Sequence, residues 1–190
     1  MVPVTAFPLY ILPPVSYIKK LIELPQSTVS IGEKYLKQTY RTRFEIAGPN
    51  NLQLLSIPVI HPVKDSMMAE IILDYSQNWN VKHWRSMETA YRKAPFYEFY
   101  AHYFEPLFTK KYYLLAELSI EALKIVLKIL KCETKLILQT ELTQTIELNL
   151  EKNTDPYFQV FAERHGFLPG LSILDLIFNE GPGAMDHLKR

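Results

Sequence analysis

The chain has very little cysteine, because Cys132 is the single thiol among its 190 residues. An internal disulfide is therefore impossible, and a chain of this length can bury a core that is stable without one. The lack of disulfides favours a reducing compartment. Residues 1–8 are broken by prolines and lack the basic start of a signal peptide. We therefore expect a cytoplasmic protein.

Long hydrophobic runs and an excess of one charge are also missing. The longest helical pattern, residues 110–131, is interrupted in its interior by charged residues that a membrane span would not tolerate. They include Glu117, Glu121, Lys124 and Lys128. The whole chain has 21 basic and 20 acidic residues, a net charge of +1, which argues against a nucleic-acid-binding surface. The sequence predicts neither a membrane span nor a nucleic-acid partner.

The motifs of the common catalytic sites do not occur. There is no nucleophile elbow and no glycine-rich phosphate loop, and the five histidines include no His-x-x-x-His pair. His102 stands at helical spacing from Glu98 and Glu105, but mixed sets of this kind arise easily by chance. We expect no metal site, and the sequence names no cofactor, reaction or oligomeric state. Whether the chain is an enzyme stays open at this point.

The order of predicted elements favours a single α/β domain over residues 1–190. An extended apolar segment at 2–11 is followed by a helix at 15–24, which begins after two prolines, and by a strand at 28–31. Strand, helix and strand within about 30 residues outline a βαβ unit. Parallel strands are the usual product of such a unit.

A β-hairpin and further strands follow. Extended runs at 44–46 and 52–59 flank the turn-forming residues 47–51, which predicts the hairpin. Residues 69–75 and 135–139 read as two more strands. The sequence therefore predicts a mainly parallel, Rossmann-like sheet with one hairpin and packed helices.

Helical periodicity occupies most of the remaining chain. Proline is expected to end the second of these helices at Pro106, and the last residues are expected to fray. Residues 171–178 are apolar on nearly all sides, which predicts a buried helix. The predicted helices are 78–94, 96–104, 115–129, 157–164 and 171–178.

The most unusual stretch is the basic segment, residues 35–43, which has one lysine, two arginines, one amide and two phenols within nine residues. In an extended chain Lys37, Arg41 and Arg43 would share one face. Three such cations suit a phosphate or carboxylate, and arginine can bind either bidentately. The alternative is a solvated strand edge whose charge opposes aggregation. The ligand-binding candidates are Tyr35, Lys37, Gln38, Tyr40, Arg41 and Arg43, together with Trp84 and Tyr17.

Two histidines are candidates for proton transfer, because the pKa of histidine lies near neutrality. His83 stands in an apolar stripe with Trp79 and Met87, which favours a packing role over a catalytic one. His61 follows the hairpin in a loop, where functional residues concentrate. The aromatic segment 96–108 either packs or stacks on a base or sugar ring.

Several blocks of the sequence resemble the WbqC-like family, in the shorter form found in Bacteroides-type bacteria. The blocks are residues 35–43, 55–59, 78–84, 90–98 and 166–182. Many members open with His-Gln-Pro, whereas Phe7-Pro8-Leu9 stands here, although Leu12, Pro13 and Tyr17 fit the pattern. If that histidine does chemistry in other members, it cannot do so in this chain.

The resemblance implies a link to bacterial surface polysaccharide, because members tend to be associated with O-antigen gene clusters. One hypothesis is a transferase or ligase-type enzyme of surface-polysaccharide or nucleotide-sugar metabolism. Its ligand would be a small anion, namely a nucleotide, sugar phosphate or carboxylate, held where residues 12–17 meet the basic segment. The other hypothesis is a non-catalytic binding or assembly protein of the same pathway, which self-associates or binds a protein through residues 96–108.

Overall fold

A computed structural model of the chain describes residues 6–141, 145, 146, 148, 150 and 155–190. It is an α/β structure with a parallel sheet of three strands, a separate antiparallel hairpin, and helices packed around both. Side chains from these elements form one hydrophobic cluster. Within the described residues, no helix has the length and apolar content needed to cross a bilayer.

The parallel sheet is built from the predicted βαβ unit and one later strand. Strand β1 (Phe7–Pro8) leads through helix α1 (Val15–Ile22) to strand β2 (Gln26–Ser30), and β1 and β2 pair in parallel. Strand β5 (Lys135–Gln139) pairs in parallel with the other edge of β2, which gives the order β1-β2-β5. The prediction of a parallel sheet is confirmed, and the first extended segment is described only from residue 6 onward.

The predicted hairpin is confirmed as strands β3 (Arg43–Ala47) and β4 (Leu52–Ser56), with Arg43 opposite Ser56. Phe44 and Ile46 alternate towards the core and are fully buried. The second strand is shorter than predicted, because Pro58 has no amide hydrogen with which to continue the ladder.

Three helices follow, α2 (Trp79–Tyr91), α3 (Tyr97–Thr109) and α4 (Leu115–Ile129). The prediction that Pro106 ends the second of them is wrong, because α3 continues through this proline to Thr109. Buried Leu107 and Phe108 beyond it, together with a bond from the Lys110 amide to the Pro106 carbonyl (3.1 Å), hold the last turn. The packing of these residues therefore stabilises the helix by more than the missing amide hydrogen bond of proline costs.

The predicted strand at residues 69–75 is also wrong. Residues Met68–Glu70 form a 3-10 helix, and only isolated bridges follow, at Ile72 and Leu73. The Leu73 amide bonds to the Tyr113 carbonyl at 3.1 Å, and the Asp74 amide bonds to the Pro58 carbonyl at 3.0 Å. Each neighbouring segment meets residues 69–75 at one isolated bridge only, Val59 with Leu73 and Leu114 with Ile72, so no regular ladder forms.

The C-terminal part is more ordered than expected. Helix α5 (Ala162–His165) covers only the end of the predicted helix at 157–164. Helix α6 (Ile173–Glu180) is buried as predicted, and the Ser172 hydroxyl oxygen caps it by accepting from the Leu174 amide at 3.3 Å. The prediction of fraying is wrong, because a 3-10 turn leads into α7 (Ala184–Leu188), which buries Ala184 and Leu188.

Candidate functional site at the carboxyl edge of the sheet

The carboxyl ends of β1 and β2 lie side by side at one edge of the parallel sheet. The residues that follow them are Leu9 and Tyr10 after β1, and Gly32 and Glu33 after β2. Ligands of α/β folds bind at this edge, because the loops and helix N-termini beside the strand ends surround a crevice there.

Glu33 is the centre of the cluster and is 3% exposed. Its Oε1 accepts hydrogen bonds from the Leu9 amide (3.1 Å) and from Arg41 Nε (3.2 Å). Its Oε2 accepts from Arg41 Nη2 and from the Thr145 hydroxyl (2.9 Å). A buried carboxylate is tolerated only when it is paired and hydrogen-bonded in this way. Glu33 thus joins three segments that are distant in sequence.

Arg41 is buried and fully engaged. Its remaining Nη1 donates to the Thr39 hydroxyl at 3.3 Å, and its guanidinium lies 5.5 Å from the centre of the Tyr10 ring. Residues 37–42 form turns and not an extended strand, so the expected alternation of Lys37, Arg41 and Arg43 on one face does not apply. Arg41 therefore holds Glu33 and Thr39 in place inside the site.

Tyr10, whose ring faces the Arg41 guanidinium, packs against two further phenols. The ring of Tyr10 lies 5.1 Å from that of Tyr17 and 5.7 Å from that of Tyr40. Tyr17 is fully buried and donates its hydroxyl hydrogen to the Pro8 carbonyl at 2.7 Å. Burial raises the pKa of all three hydroxyls. Tyr10 and Tyr40 stay half-exposed, so their rings are accessible from solvent.

The backbone of the site is strained at two positions. Leu12 has φ +43° and Gln38 has φ +62°, a left-handed region that residues other than glycine rarely adopt. The Ser172 hydroxyl donates to the Leu12 carbonyl at 2.7 Å, and the Ile11 amide donates to the Tyr40 carbonyl at 3.0 Å. These bonds hold the strained segment in place. Such strain is concentrated at functional sites in proteins.

Polar groups without partners lie next to the ion pair along the chain. Arg43 and Glu45 are two residues apart on β3 and therefore face the same side. In the part of the chain that the structure describes, Arg43 Nε and Glu45 Oε2 are buried and have no hydrogen-bond partner. Lys37 and Gln38 are exposed beside them in sequence, and Tyr35 is half-buried. These groups retain the capacity to bind a ligand.

The histidine and tryptophan candidates lie elsewhere. His83 packs between Trp79 (5.3 Å) and Phe44 (6.0 Å). Because Phe44 follows Arg43 on β3, His83 contacts the face opposite to Arg43. Burial lowers the pKa of His83 to about 4, so its ring is neutral at pH 7. Trp84 packs at 6.0 Å from Phe108.

His61 is exposed at a separate small pocket. This pocket has a volume of about 310 Å³ and is lined also by Val63, Glu70 and Ile72. Within the described residues, no three His, Cys, Asp or Glu side chains are grouped as a metal site requires. The basic segment therefore meets phenols and a glutamate at the sheet edge, and it does not meet His83.

Sequence reasoning missed Glu33, Tyr10 and Glu45. A signal for Glu33 existed, because it follows Gly32 directly after the second strand of the βαβ unit. Dinucleotide-binding folds place an acidic residue near that position to bind a ribose. In this chain the Glu33 carboxylate is instead paired with Arg41. No local signal marked Tyr10 or Glu45, since their roles depend on neighbours that only the fold supplies.

Comparison with known proteins adds one finding. The model of the WbqC-like protein family matches residues 9–156. The match contains the Glu33–Arg41 cluster and most of the blocks that carry the resemblance, while the block at residues 166–182 lies beyond it. No curated protein and no solved structure matches the chain.

Proposed function

The chain belongs to the WbqC-like protein family, and from this premise we propose that it binds a small-molecule anion at the carboxyl edge of its parallel sheet. The observation that carries the proposal is Arg43, whose buried Nε has no partner in the described part of the chain. A buried N–H donor of a guanidinium without a partner is unfavourable, and a phosphate or carboxylate oxygen would satisfy it.

The neighbouring groups have distinct roles in this proposal. Arg43 and Lys37 supply the positive charge that binds the anion. Arg41 acts as a positioning residue, because its guanidinium is already held by Glu33. Tyr10 and Tyr40 offer half-exposed rings for a base or sugar. The ligand class is therefore a nucleotide, sugar phosphate or carboxylate.

For the reaction, we propose a transferase or ligase-type enzyme of surface-polysaccharide or nucleotide-sugar metabolism, acting in the cytoplasm. The support is the association of family members with O-antigen gene clusters, together with the single cysteine for the compartment. The strained Leu12 and the buried ion pair favour an ordered ligand site, since both are costly features in a purely structural loop.

A second candidate function rests on the outer face of α3. Phe99 is 67% exposed, and it stands at helical spacing from the half-exposed Phe96 before it and Tyr103 after it, with the half-exposed Tyr100 next to it. This aromatic face would suit a non-catalytic binding or assembly protein. It predicts self-association or a protein partner, which light scattering at rising protein concentration detects.

A thermal-shift screen against uridine diphosphate sugars, sugar phosphates and small carboxylates tests the first proposal. A ligand at about one hundred times its dissociation constant adds roughly 2.7 kcal/mol of stability. Arg43→Gln and Lys37→Gln should weaken the shift, whereas Glu45→Gln should strengthen it by removing a repulsive charge. Arg85→Gln, on an exposed position of α2, is the matched control.

Two results would count against the proposal. If Arg43→Gln showed the same thermal shift as the wild type, Arg43 would not bind the ligand, and the proposed site would lose its main residue. A flat screen with all ligands, combined with self-association that Phe99→Ser abolishes, would support the assembly protein instead.

A further inference from the structure

A buried carboxyl group lies in the first turn of α6. Asp175 has no exposed surface, and within the described residues neither carboxylate oxygen has a hydrogen bond of normal geometry. The Tyr91 hydroxyl lies next to the carboxyl group, and the Asn179 Oδ1, one turn along α6, is buried without a partner there. A charge in such surroundings is strongly disfavoured. The carboxyl group is therefore most stable when it carries its proton.

The groups facing Asp175 come from three elements. Tyr91 belongs to α2, Asn179 to α6, and Tyr157 and Gln159 to the segment before α5. Burial raises the pKa of Asp175 to about 6, although Tyr157, Tyr91 and Gln159 offset part of that effect. In the described part of the chain, none of the groups that shift this pKa is a cation. The neutral polar groups therefore compensate the carboxylate charge only in part.

The segment over Asp175, residues 155–168, is here called the strap. The Gln159 side chain bonds to both the amide and the carbonyl of Leu168, each at 2.9 Å. The Phe158 amide donates to Glu180 Oε1 at 3.2 Å. The Tyr157 ring lies 5.2 Å from that of His187 on α7. Because its only regular element is the single turn α5, the strap has few backbone bonds to keep it closed.

We propose that the proton on Asp175 decides whether the strap stays packed against α6. With the proton present, Tyr157 and Gln159 cover a neutral group. Without it, the carboxylate must be hydrated, and the strap lifts to admit water. This inference does not depend on the anion site, because it concerns the packing of the strap alone.

The direction with pH follows from linkage. In the open state the Asp175 carboxyl is hydrated and has an ordinary pKa near 4, so the open state loses its proton first. Raising the pH from about 4 to about 6 therefore favours opening, and the effect levels off above the closed-state pKa. His187 acts in the opposite direction, because burial lowers its pKa and its charged form at low pH disfavours the closed strap.

Hydrogen exchange of the full chain, read by mass spectrometry, tests the proposal. Labelling times are scaled to the intrinsic exchange rate at each pH. Peptides within residues 155–168 should lose roughly twentyfold in protection between pH 4.5 and pH 7. This is the change expected for one carboxyl group with a pKa of about 6 in the closed state and about 4 in the open state. Asp175→Asn, which cannot ionise, should stay protected at both pH values. His187→Gln is the matched control and should retain the dependence.

The outcomes separate clearly. Equal protection at both pH values in the wild-type strap, or the same pH dependence in Asp175→Asn, overturns the proposal. If Asp175→Asn does not fold, Tyr157→Phe replaces it. Loss of the Tyr157 hydroxyl should enlarge the total loss of protection and let it continue to a higher pH, since that hydroxyl lowers the pKa of Asp175 in the closed state. An unchanged total loss would also overturn the proposal.

Discussion

Arg41 donates hydrogen bonds to both carboxylate oxygens of Glu33, and both residues are almost completely buried. This bidentate pair joins the end of β2 to the basic segment. Through the Leu9 amide it also fixes the chain after β1. The conformation of the candidate site therefore depends on a charge pair that water does not reach.

The first prediction concerns this pair. Arg41→Ala should destabilise the protein by about 3–5 kcal/mol, because it leaves Glu33 buried without its counter-charge. The double variant Glu33→Leu with Arg41→Met should lose much less than the sum of the two single changes, since no unpaired charge remains. Urea unfolding of Arg41→Ala, and of the wild type, Glu33→Leu, Arg41→Met and their combination, measures both effects.

An exposed ion pair next to Glu33 provides the control. Lys34 and Asp65 lie 3.0 Å apart, and their side chains are 59% and 57% exposed. Lys34→Ala should therefore cost less than about 1 kcal/mol. If Lys34→Ala and Arg41→Ala lowered the free energy of unfolding equally, burial would not make the Glu33–Arg41 pair more important for stability than the exposed pair.

The elements that the sequence predicted well are those set by local patterns. The helix at Val15–Ile22 follows from a proline start and apolar spacing, and the hairpin follows from turn residues between two extended runs. Pro106 and residues 69–75 were misjudged because tertiary contacts decide them. The Lys110 amide and buried neighbours keep α3 helical, and residues 69–75 meet each neighbouring segment at a single bridge only, so they form no strand.

The candidate site was predictable only in part. Tyr17, Tyr40 and Arg41 were chosen from the sequence, and the structure brings them together. Their common partner Tyr10 was not foreseen, nor was Glu33, because both meet Arg41 only through the turns at residues 37–42. The role of Arg41 changes for the same reason, since a local pattern shows a charge but not its partner.

The second prediction concerns the close approach of two chain segments at the sheet edge. A Cβ atom on Gly32 would overlap the Glu141 carbonyl and lie 2.5 Å from the Thr140 carbonyl oxygen. Gly32→Ala should therefore move β2 and β5 apart and cost several kcal/mol. Gly166→Ala is the comparison, because Gly166 has φ +72° but open space around it. Its cost should be only about 1–2 kcal/mol, from backbone strain. Thermal unfolding that ranked the two variants in reverse order would contradict this account.

The third prediction concerns His83. Its pKa is about 4 in the folded protein because burial disfavours the charged ring, whereas an unfolded histidine has a pKa near 6.5. The unfolded state therefore binds more protons between these values, and His83 takes away up to about 3 kcal/mol of stability as the pH falls from 6.5 to 4. His83→Phe should remove this acid-side loss. Urea titrations at pH 4.5 and pH 7 measure it, and an unchanged difference between the two pH values would be inconsistent with the burial argument.

The fourth prediction concerns Asp175, whose contribution to stability changes with pH in the opposite direction to that of His83. The folded pKa of about 6 exceeds the ordinary value of 3.8, so the folded state binds more protons between them. Stability then falls by up to about 3 kcal/mol as the pH rises from about 4 to 6. Asp175→Asn should be more stable than the wild type at pH 7 and about equal to it below pH 4. Asp186→Asn, on an exposed position of α7, is the control that should change neither value.

The two buried groups together make a fifth prediction. As the pH rises from about 4 to 6, the titration of His83 increases the stability of the protein and that of Asp175 decreases it. The two contributions should therefore largely cancel in the wild type over this range. Relative to wild type, Asp175→Asn should therefore gain stability as the pH rises through this range, and His83→Phe should lose it. The double variant should again follow the wild-type profile, because both titrations are absent from it. Urea unfolding of the four proteins across the range gives the profiles. If the two single variants shifted the slope in the same direction, at least one of the two buried groups would have the wrong protonation state in this account.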